Sequence, residues 1–412
     1  MGESKQIHLD PVTITNILTL RYDPTMRTLL PRLTWKDFTE DSISNPFDFV
    51  IKLLKEAIEK EISKLGSGKL TIALSGGVDS TLLLAMIRSM FPQVDIHAIT
   101  VKIAGSVDES SSASKIAQNF EAEQHTVYIE NYLQELPKAI SIVKLPFWDL
   151  HWYHVVKKAS SLSKVLVSGD GGDELFGGYI FRYNKFLRLM KNNSSVLEKV
   201  KAYLQCHERD WVPDQETLFG KKVRFSWNKI YGMLRPYFNN KLSPIAQVFL
   251  ADFNGKLLYN WLPLYIKFYR NFKVKPVSPF LSRKLISYAT HIPYDYKYDR
   301  GSNVGKLLLR RILAKYVDER FVSNTKQGFP VDTVNQWKLY GRKICDYYLS
   351  DARICKEGWI NPDWIKKHIR RLNDNQLNVE GVIYVNKFLG LLALEIWYRL
   401  FVTKEMKPDV HL

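Results

Sequence analysis

A β-type apolar run that breaks into glycines and at once becomes a helix constrains this chain more than any other feature. Residues 71–80 read TIALSGGVDS. Leu70, Ile72 and Leu74 alternate as in a buried strand. Ser75-Gly76-Gly77-Val78-Asp79-Ser80 makes the turn, and Leu82, Leu83, Leu84, Met86 and Ile87 come next at helical spacing. A glycine turn at a helix N-terminus cradles an anion, because backbone amides approach closely and the helix dipole adds partial positive charge. Residues 165–179, VLVSGDGGDELFGGY, repeat the layout: Val165–Val167 as a short buried strand, Ser168–Gly172 as the turn, and Asp173-Glu174 opening the next element. Parallel strands place their carboxyl-end turns along one sheet edge, so both turns are expected to face one ligand. Asp79 and Asp173 then flank a polyphosphate, which is how Mg²⁺ is held by few protein oxygens plus phosphate oxygens. The GxxxxGK[ST] pattern is absent from both turns, and GxGxxG is absent after the first strand. Both absences argue against γ-phosphate transfer of that type and against dinucleotide binding.

The strand candidates 70–74, 95–101, 125–129 and 165–168 alternate with helical stretches, so the expected fold is α/β, a parallel sheet with helices on both faces. Phe47–Leu65 reads as an amphipathic helix, and residues 283–320 and 380–402 read as helical too. The expected division is an N-terminal arm at 1–45, an α/β domain at 46–182, a helical insertion at 183–260 and a mostly helical C-terminal part at 261–412. Within the arm, ITNILTLRYD has the β-branched look of a strand.

Three cysteines, odd in number and far apart, fit a reducing cytoplasm and no disulfide framework. No uninterrupted apolar run reaches the roughly 18 residues that span a bilayer, and no signal peptide is visible, so no membrane is expected. The net charge of +17 suits attraction of a polyphosphate and acidic substrates. Residues 221–240 and 259–275 interleave cations with aromatics, as RNA-stacking surfaces do. Aromatics at helical spacing are more often core, with lysine and arginine stems laid around them.

SGGVDS resembles the pyrophosphate loop of ATP pyrophosphatases, and SGDGGDELFGGY resembles the synthetase domain of asparagine synthetases and their relatives, the β-lactam synthetases and lasso-peptide cyclases. Further pieces agree in order: Ser278-Pro279-Phe280-Leu281, Lys306-Leu307-Leu308-Leu309-Arg310, Lys326-Gln327-Gly328-Phe329 and Leu394-Glu395-Ile396-Trp397. The resemblance implies an adenine nucleotide α-hydrolase-like fold, ATP and Mg²⁺ as cofactors, and amide formation through an adenylated carboxylate with release of AMP and pyrophosphate. On this reading Ser75, Gly76, Gly77 and Ser80 hold pyrophosphate, and Asp79 and Asp173 hold the metal. Leu74, Val101, Ser168 and Gly169 line the nucleoside, and Lys326 stabilises the charge developing on the phosphate. Asp170 is either a base for the incoming amine or a hydrogen-bonded turn aspartate. Trp148, Asp149, His151 and Arg270 are candidates for the acceptor pocket. Asp108-Glu109 resembles the family's acidic pair but reads as a solvated loop pair.

Glutamine-dependent members begin with a cysteine on a glutaminase domain, and the residues before Phe47 are too few for one. The nitrogen is therefore expected from ammonia, a separate glutaminase subunit or an amine on another substrate, and a homodimer is an expected assembly. Lys144-Leu145, Val277 and Ser282 depart from the family's acceptor-side residues, so aspartate with ammonia is expected to be a poor pair. The competing readings are the same chemistry on another carboxylate and an RNA-modifying ATPase.

Overall fold

The computed structural model describes residues 9–41, 43, 45–65, 68–318, 331–372 and 379–412. Five strands form one sheet: β1 (Lys69–Ala73), β2 (Asp95–Ile103), β3 (Glu123–Ile129), β4 (Val165–Val167) and β5 (Lys275–Val277). Their order is β3-β2-β1-β4-β5 and every neighbouring pair is parallel. The strand alternation works as pleat geometry demands. Leu70, Ile72, Ile96, Ala98, Val165 and Val167 enter one core with α2 (Pro46–Ile62), α3 (Val78–Met90) and α4 (Ser110–Asn119). Ala73, Ile99, Val101, Ile103 and Leu166 enter a second core with the helices Leu136–Val143, His151–Ser160 and Val379–Phe401. Helices therefore cover both faces, as the alternating pattern predicts. The strand that the sequence pattern does not signal is β5. It has three residues and contains Pro276, which a ladder tolerates at the sheet edge.

The stretch read as a strand in the arm is a helix, α1 (Pro11–Leu20). Its β-branched residues argue for a strand by propensity alone, but its N-terminus carries stronger signals. Asp10 accepts a hydrogen bond from the Thr13 amide at 2.7 Å, and Pro11 pre-sets the first turn. Burial of Ile14 and Leu18 in the second core then overrides propensity.

Residues 283–320 do not form one helical run. Arg283–Ala289 and Leu307–Leu313 are separated by an antiparallel ribbon of Tyr298–Asp299 with Val304–Gly305. Pro293 cannot continue the first helix. The Asp299 carboxylate accepts from the Gly301 and Ser302 amides and closes the ribbon's turn. The break delivers Lys306, at φ 58°, to the start of the second helix.

The helix Val379–Phe401 is long enough and, on average, apolar enough to cross a bilayer between Gly381 and Phe401, yet 83% of its 18-residue window is buried in the protein. Val385, Phe388, Leu391, Leu392 and Ile396 make it the spine of the second core. Glu395, fully buried, accepts from the Arg353 and Ile354 amides at 3.0 and 3.1 Å and from Arg399 Nε at 2.6 Å. Among the described residues no other helix meets the length and composition of a span.

Candidate active site

The two glycine turns meet because their strands are neighbours. Thr71 pairs with Leu166 and Ile72 with Val167. The chain leaves β1 toward β2 on one side, while β4 is flanked by β5 on the other. A crevice opens at such a switch of strand order, outside the carboxyl ends of the strands. Here it is a cavity of about 610 Å³.

Gly76 takes φ 72°, which lets the chain turn from β1 into α3. The Ser80 hydroxyl donates to the Gly77 carbonyl at 3.3 Å and accepts from the Ser75 amide at 3.3 Å, so the turn is closed on itself. Asp79 lies in the first turn of α3, and Asp173 in the first turn of the short helix Gly172–Phe176. One side chain joins them. Lys306 Nζ donates to Asp79 Oδ2, and to Asp173 Oδ1 at 2.7 Å. Burial alone pushes this amine down, but the two carboxylates override it and hold Lys306 above the ordinary lysine range. Arg310, one helical turn on, lines the same cavity and donates from Nε to the Gly305 carbonyl at 3.0 Å.

These residues fit a divalent cation. Both carboxylates reach a single point, now taken by an ammonium, and one lysine against two aspartates leaves the trio one negative charge. The space is made by glycines: a Cβ at Gly178 would stand 1.7 Å from Asp173 Oδ1, and one at Gly172 2.6 Å from Asp79 Cγ. A hard cation with two carboxylates plus phosphate oxygens is the ligand set Mg²⁺ prefers.

Beside this cluster, burial pushes the Asp170 carboxyl up to about 6. The Ser168 hydrogen bond and His151 oppose the shift, and Asp173 and Asp79 add to it. The Ser168 hydroxyl donates to Asp170 Oδ2 at 2.7 Å and lies 2.9 Å from the Ser278 hydroxyl. On the far wall the Asp149 carboxylate accepts from the Tyr132 hydroxyl at 2.9 Å, stands 2.6 Å from His151 Nδ1 and pairs with Arg21 at 3.4 Å. Burial pushes Asp149 up, yet His151, Arg21 and Tyr132 together hold it well below the usual carboxylate range. His151 meets the rings of Trp261 and Tyr265 edge-on at 6.5 Å, and Trp152 stacks on Tyr265 at 4.7 Å. One side of the cavity is thus charged and the other is an aromatic wall.

Ser75, Gly76, Gly77, Asp79, Ser80, Asp149, His151, Gly169, Asp170 and Asp173 all line the cavity. Leu74, Val101 and Ser168 are buried and are not among its lining residues. Trp148 lies under Arg21, 4.4 Å from ring centroid to guanidinium, against a smaller neighbouring cavity. Arg270 is exposed on the helix Leu262–Phe272 and does not reach the site. Lys326 and its KQGF neighbours lie outside the described residues. Val277 is a strand residue of β5 and Ser282 precedes the helix Arg283–Ala289. Lys144 ends the helix Leu136–Val143 in the left-handed region. None of these departures lines the cavity. The pair Asp108-Glu109 lines the cavity rim, and its members differ in burial: exposed Asp108 bonds Lys102 at 2.7 Å, and half-buried Glu109 is pushed by burial up to about 8.

Lys306, Arg310, Trp261 and Tyr265 are the site residues to which sequence reasoning assigned no role. For the first two a signal existed, since Lys306 and Arg310 stand four apart and share one helix face. Trp261 and Tyr265 carried no signal beyond ordinary core spacing.

A profile of the asparagine synthase family matches residues 50–399. Asparagine synthetase [glutamine-hydrolyzing] 1 of Bacillus subtilis is 23% identical over 403 residues, 88% of this chain and 61% of that protein. A putative asparagine synthetase [glutamine-hydrolyzing] of Mycobacterium bovis is 22% identical over 93% of this chain and 62% of its own length. The chain thus spans about three fifths of the length of these relatives. Among solved structures, NMN synthetase from Francisella tularensis aligns with 57% of this chain and 98% of its own at 15% identity and a TM-score of 0.26, a likeness too slight to carry weight. With the two glycine turns meeting at one sheet edge and the profile covering most of its length, the chain belongs to the asparagine synthase family.

Proposed function

We propose that this protein is an ATP-dependent, AMP-forming amide ligase that adenylates a carboxylate and passes the acyl group to ammonia or an amine. The observation that carries this reading is the pair of carboxylates, Asp79 and Asp173, brought to one cation position at a glycine turn. A carboxylate oxygen of the substrate attacks the α-phosphorus of ATP, and pyrophosphate leaves. The amine nitrogen then attacks the acyl carbon and loses a proton, and AMP leaves. Ser75, Gly76, Gly77 and Ser80 present amides and hydroxyls to the departing pyrophosphate. Asp79 and Asp173 would hold Mg²⁺, which when bound neutralises charge building on the phosphates. Arg310 and Lys306 add fixed positive charge on the same side, and Lys326, by family resemblance, serves the α-phosphate. Gly169, by family resemblance, lines the nucleoside. The nitrogen source is free ammonia, a glutaminase partner or an amine substrate. Pyrophosphate and AMP release with a panel of carboxylates, together with mass analysis of the amide, tests the proposal. Release of ADP and phosphate in their place sinks it.

The RNA-modifying alternative draws on the basic, aromatic segments. Several of their rings are spent inside the protein: Tyr237, Phe238, Tyr259, Phe268 and Tyr269 are all buried. They are core, and a ring that stacks on a base must be exposed.

Asp170 is assigned the amine's proton. Its carboxyl at about 6 is poised for transfer near neutral pH. The acid limb of kcat/KM should therefore fall near pH 6, and Asp170→Asn should remove that limb and lower the rate at least about 10²-fold. A folded pKa above the ordinary aspartate value gives stability that is present in acid and lost as pH rises through about 6. Asp170→Asn should accordingly melt no lower than the wild type at pH 7.5. An unchanged pH–rate profile in the variant ends the assignment.

The aromatic wall favours an acceptor larger or flatter than aspartate. AMP formation with aspartate and ammonium is expected to be slow, with kcat/KM below about 10⁴ M⁻¹s⁻¹. A steady-state assay above that value shows that the wall does not select against aspartate.

A further inference from the structure

At the opposite end of the sheet two short sequences lie side by side: Asp95-Ile96-His97 opening β2 and Glu123-Gln124-His125 opening β3. The strands are parallel, with His97 opposite Glu123 and Ile99 opposite His125. Residues two apart share a face, and so do residues paired across the ladder. Asp95, His97, Glu123 and His125 therefore project together on one side of the sheet.

We propose that His97, Glu123 and His125 form a zinc site that clips the edge strand β3 to β2. His97 Nδ1 lies 3.3 Å from Glu123 Oε2, and His125 Nε2 lies 3.4 Å from Glu123 Oε1. Zinc bonds of about 2.0–2.1 Å in a tetrahedron give ligand–ligand edges of about 3.3 Å. The two contacts have that length but run to different oxygens of Glu123, so its exposed carboxylate turns to present one oxygen to both rings. The third, His97 Nδ1 to His125 Nε2, is 2.9 Å, so the imidazoles need to part by a few tenths of an ångström. That short contact requires one ring to donate to the other or the two to share a metal. Two imidazoles and a carboxylate are the borderline ligands zinc takes.

The surroundings suit the role. His97 is buried, and its other ring nitrogen, Nε2, makes no aligned hydrogen bond; its nearest acceptor, Asp95 Oδ2, stands 3.3 Å away. A carboxylate behind a ligating histidine holds Nε2–H and leaves Nδ1 free for the metal. Asp95 is in turn braced by Lys69 at 3.2 Å. Glu123 is 63% exposed at its side chain, which leaves a path for the ion and a fourth position for water. Since β3 is an edge strand, a cross-strand clip also secures the ladder where one side has no neighbour. Asp79 and Asp173 belong to the other end of the sheet, so this site is separate from the cavity chemistry.

The test uses the full chain after chelator treatment and desalting. ZnCl₂ titrated calorimetrically should bind at one equivalent with Kd tighter than about 1 μM, and Co²⁺ should give the intense visible bands of a tetrahedral site. His125→Ala and Glu123→Gln, both at the accessible rim, should weaken zinc binding more than about 100-fold, and Asp95→Asn, a positioning change, about 10- to 100-fold. Zinc should raise the wild-type Tm and leave that of His125→Ala unmoved. Equal affinity in wild type and His125→Ala places the ion elsewhere, for example on Cys206 or Cys355, and overturns the proposal. So does binding weaker than about 1 mM, which reduces the cluster to an imidazole hydrogen bond.

Discussion

Asp79→Asn and Asp173→Asn should each lower AMP formation by at least about 10²–10³-fold, the loss typical when one fixed charge aimed at a transferring group is removed. The fold should survive in both variants. Lys306 bonds both carboxylates, so deleting the charge of either one leaves the lysine paired with the other. The trio's charge changes from −1 to 0, and with it goes the attraction for a divalent cation. Equilibrium binding supplies a readout apart from turnover. Wild-type affinity for ATP should rise steeply as Mg²⁺ is added, and in each variant that dependence should flatten. Thermal melts of the variants in chelator should stay close to wild type. Full Mg²⁺ dependence in both variants would show that the aspartates serve as helix caps and that the metal sits elsewhere.

How legible each feature is in the sequence depends on how locally it is encoded. The turns Ser75–Ser80 and Ser168–Gly172 were legible because a strand, a glycine turn and a helix start are all written within about a dozen residues each. Their meeting was inferable from the parallel alternation alone, since parallel strands present their carboxyl-end turns along one edge. The aromatic wall was not inferable. Trp261 and Tyr265 open the C-terminal part read at 261–412, and only tertiary packing brings them beside His151 and Trp152. Motif order makes Arg270 a candidate for the acceptor pocket. One helix face decides the matter: Tyr265, Phe268 and Tyr269 turn inward, and Arg270 turns out. Residues 14–23 misled through β-branching, because a single cap, Asp10 with Pro11, outweighs the propensities of a helix that is half-buried. Asp108 and Glu109 read as a solvated loop pair in sequence, but the start of α4 sets both on the rim of the cavity, and Glu109, the residue before that helix, is half-buried there. The pair His97 and His125 drew no notice, because each is an isolated histidine until the ladder sets the strands in register.

The largest effect on both stability and chemistry is expected at Lys306. This side chain is only 9% exposed and holds two carboxylates whose side chains are 14% and 24% exposed. Lys306→Met keeps the stem and removes the charge. Taking one partner from a buried ion cluster costs about 3–5 kcal/mol, since the charges left behind are poorly solvated. The pH dependence has a definite sign. The folded lysine holds its proton more tightly than the unfolded one, so its contribution is complete below the ordinary lysine pKa and is lost only as pH rises through the raised value. The gap between wild type and variant should therefore be full at pH 7 and shrink in strong alkali. Mg²⁺ gives the discriminating arm. A divalent cation can take the place of the ammonium between Asp79 and Asp173, so millimolar Mg²⁺ should raise the urea midpoint of Lys306→Met far more than that of the wild type. Activity should still be low, because on the proposed reading the ammonium displaced from the aspartates by the metal would turn to phosphate, and the variant lacks it. Lys306→Arg should not rescue it: Gly178 is packed so closely on the lysine that a Cβ there would stand 2.7 Å from Lys306 Cε, and a planar guanidinium has no room to turn. A Lys306→Met protein as stable as wild type in chelator, with no added response to Mg²⁺, would mean that the lysine and the metal do not compete for one position, and the cation site at the two glycine turns would have to be abandoned.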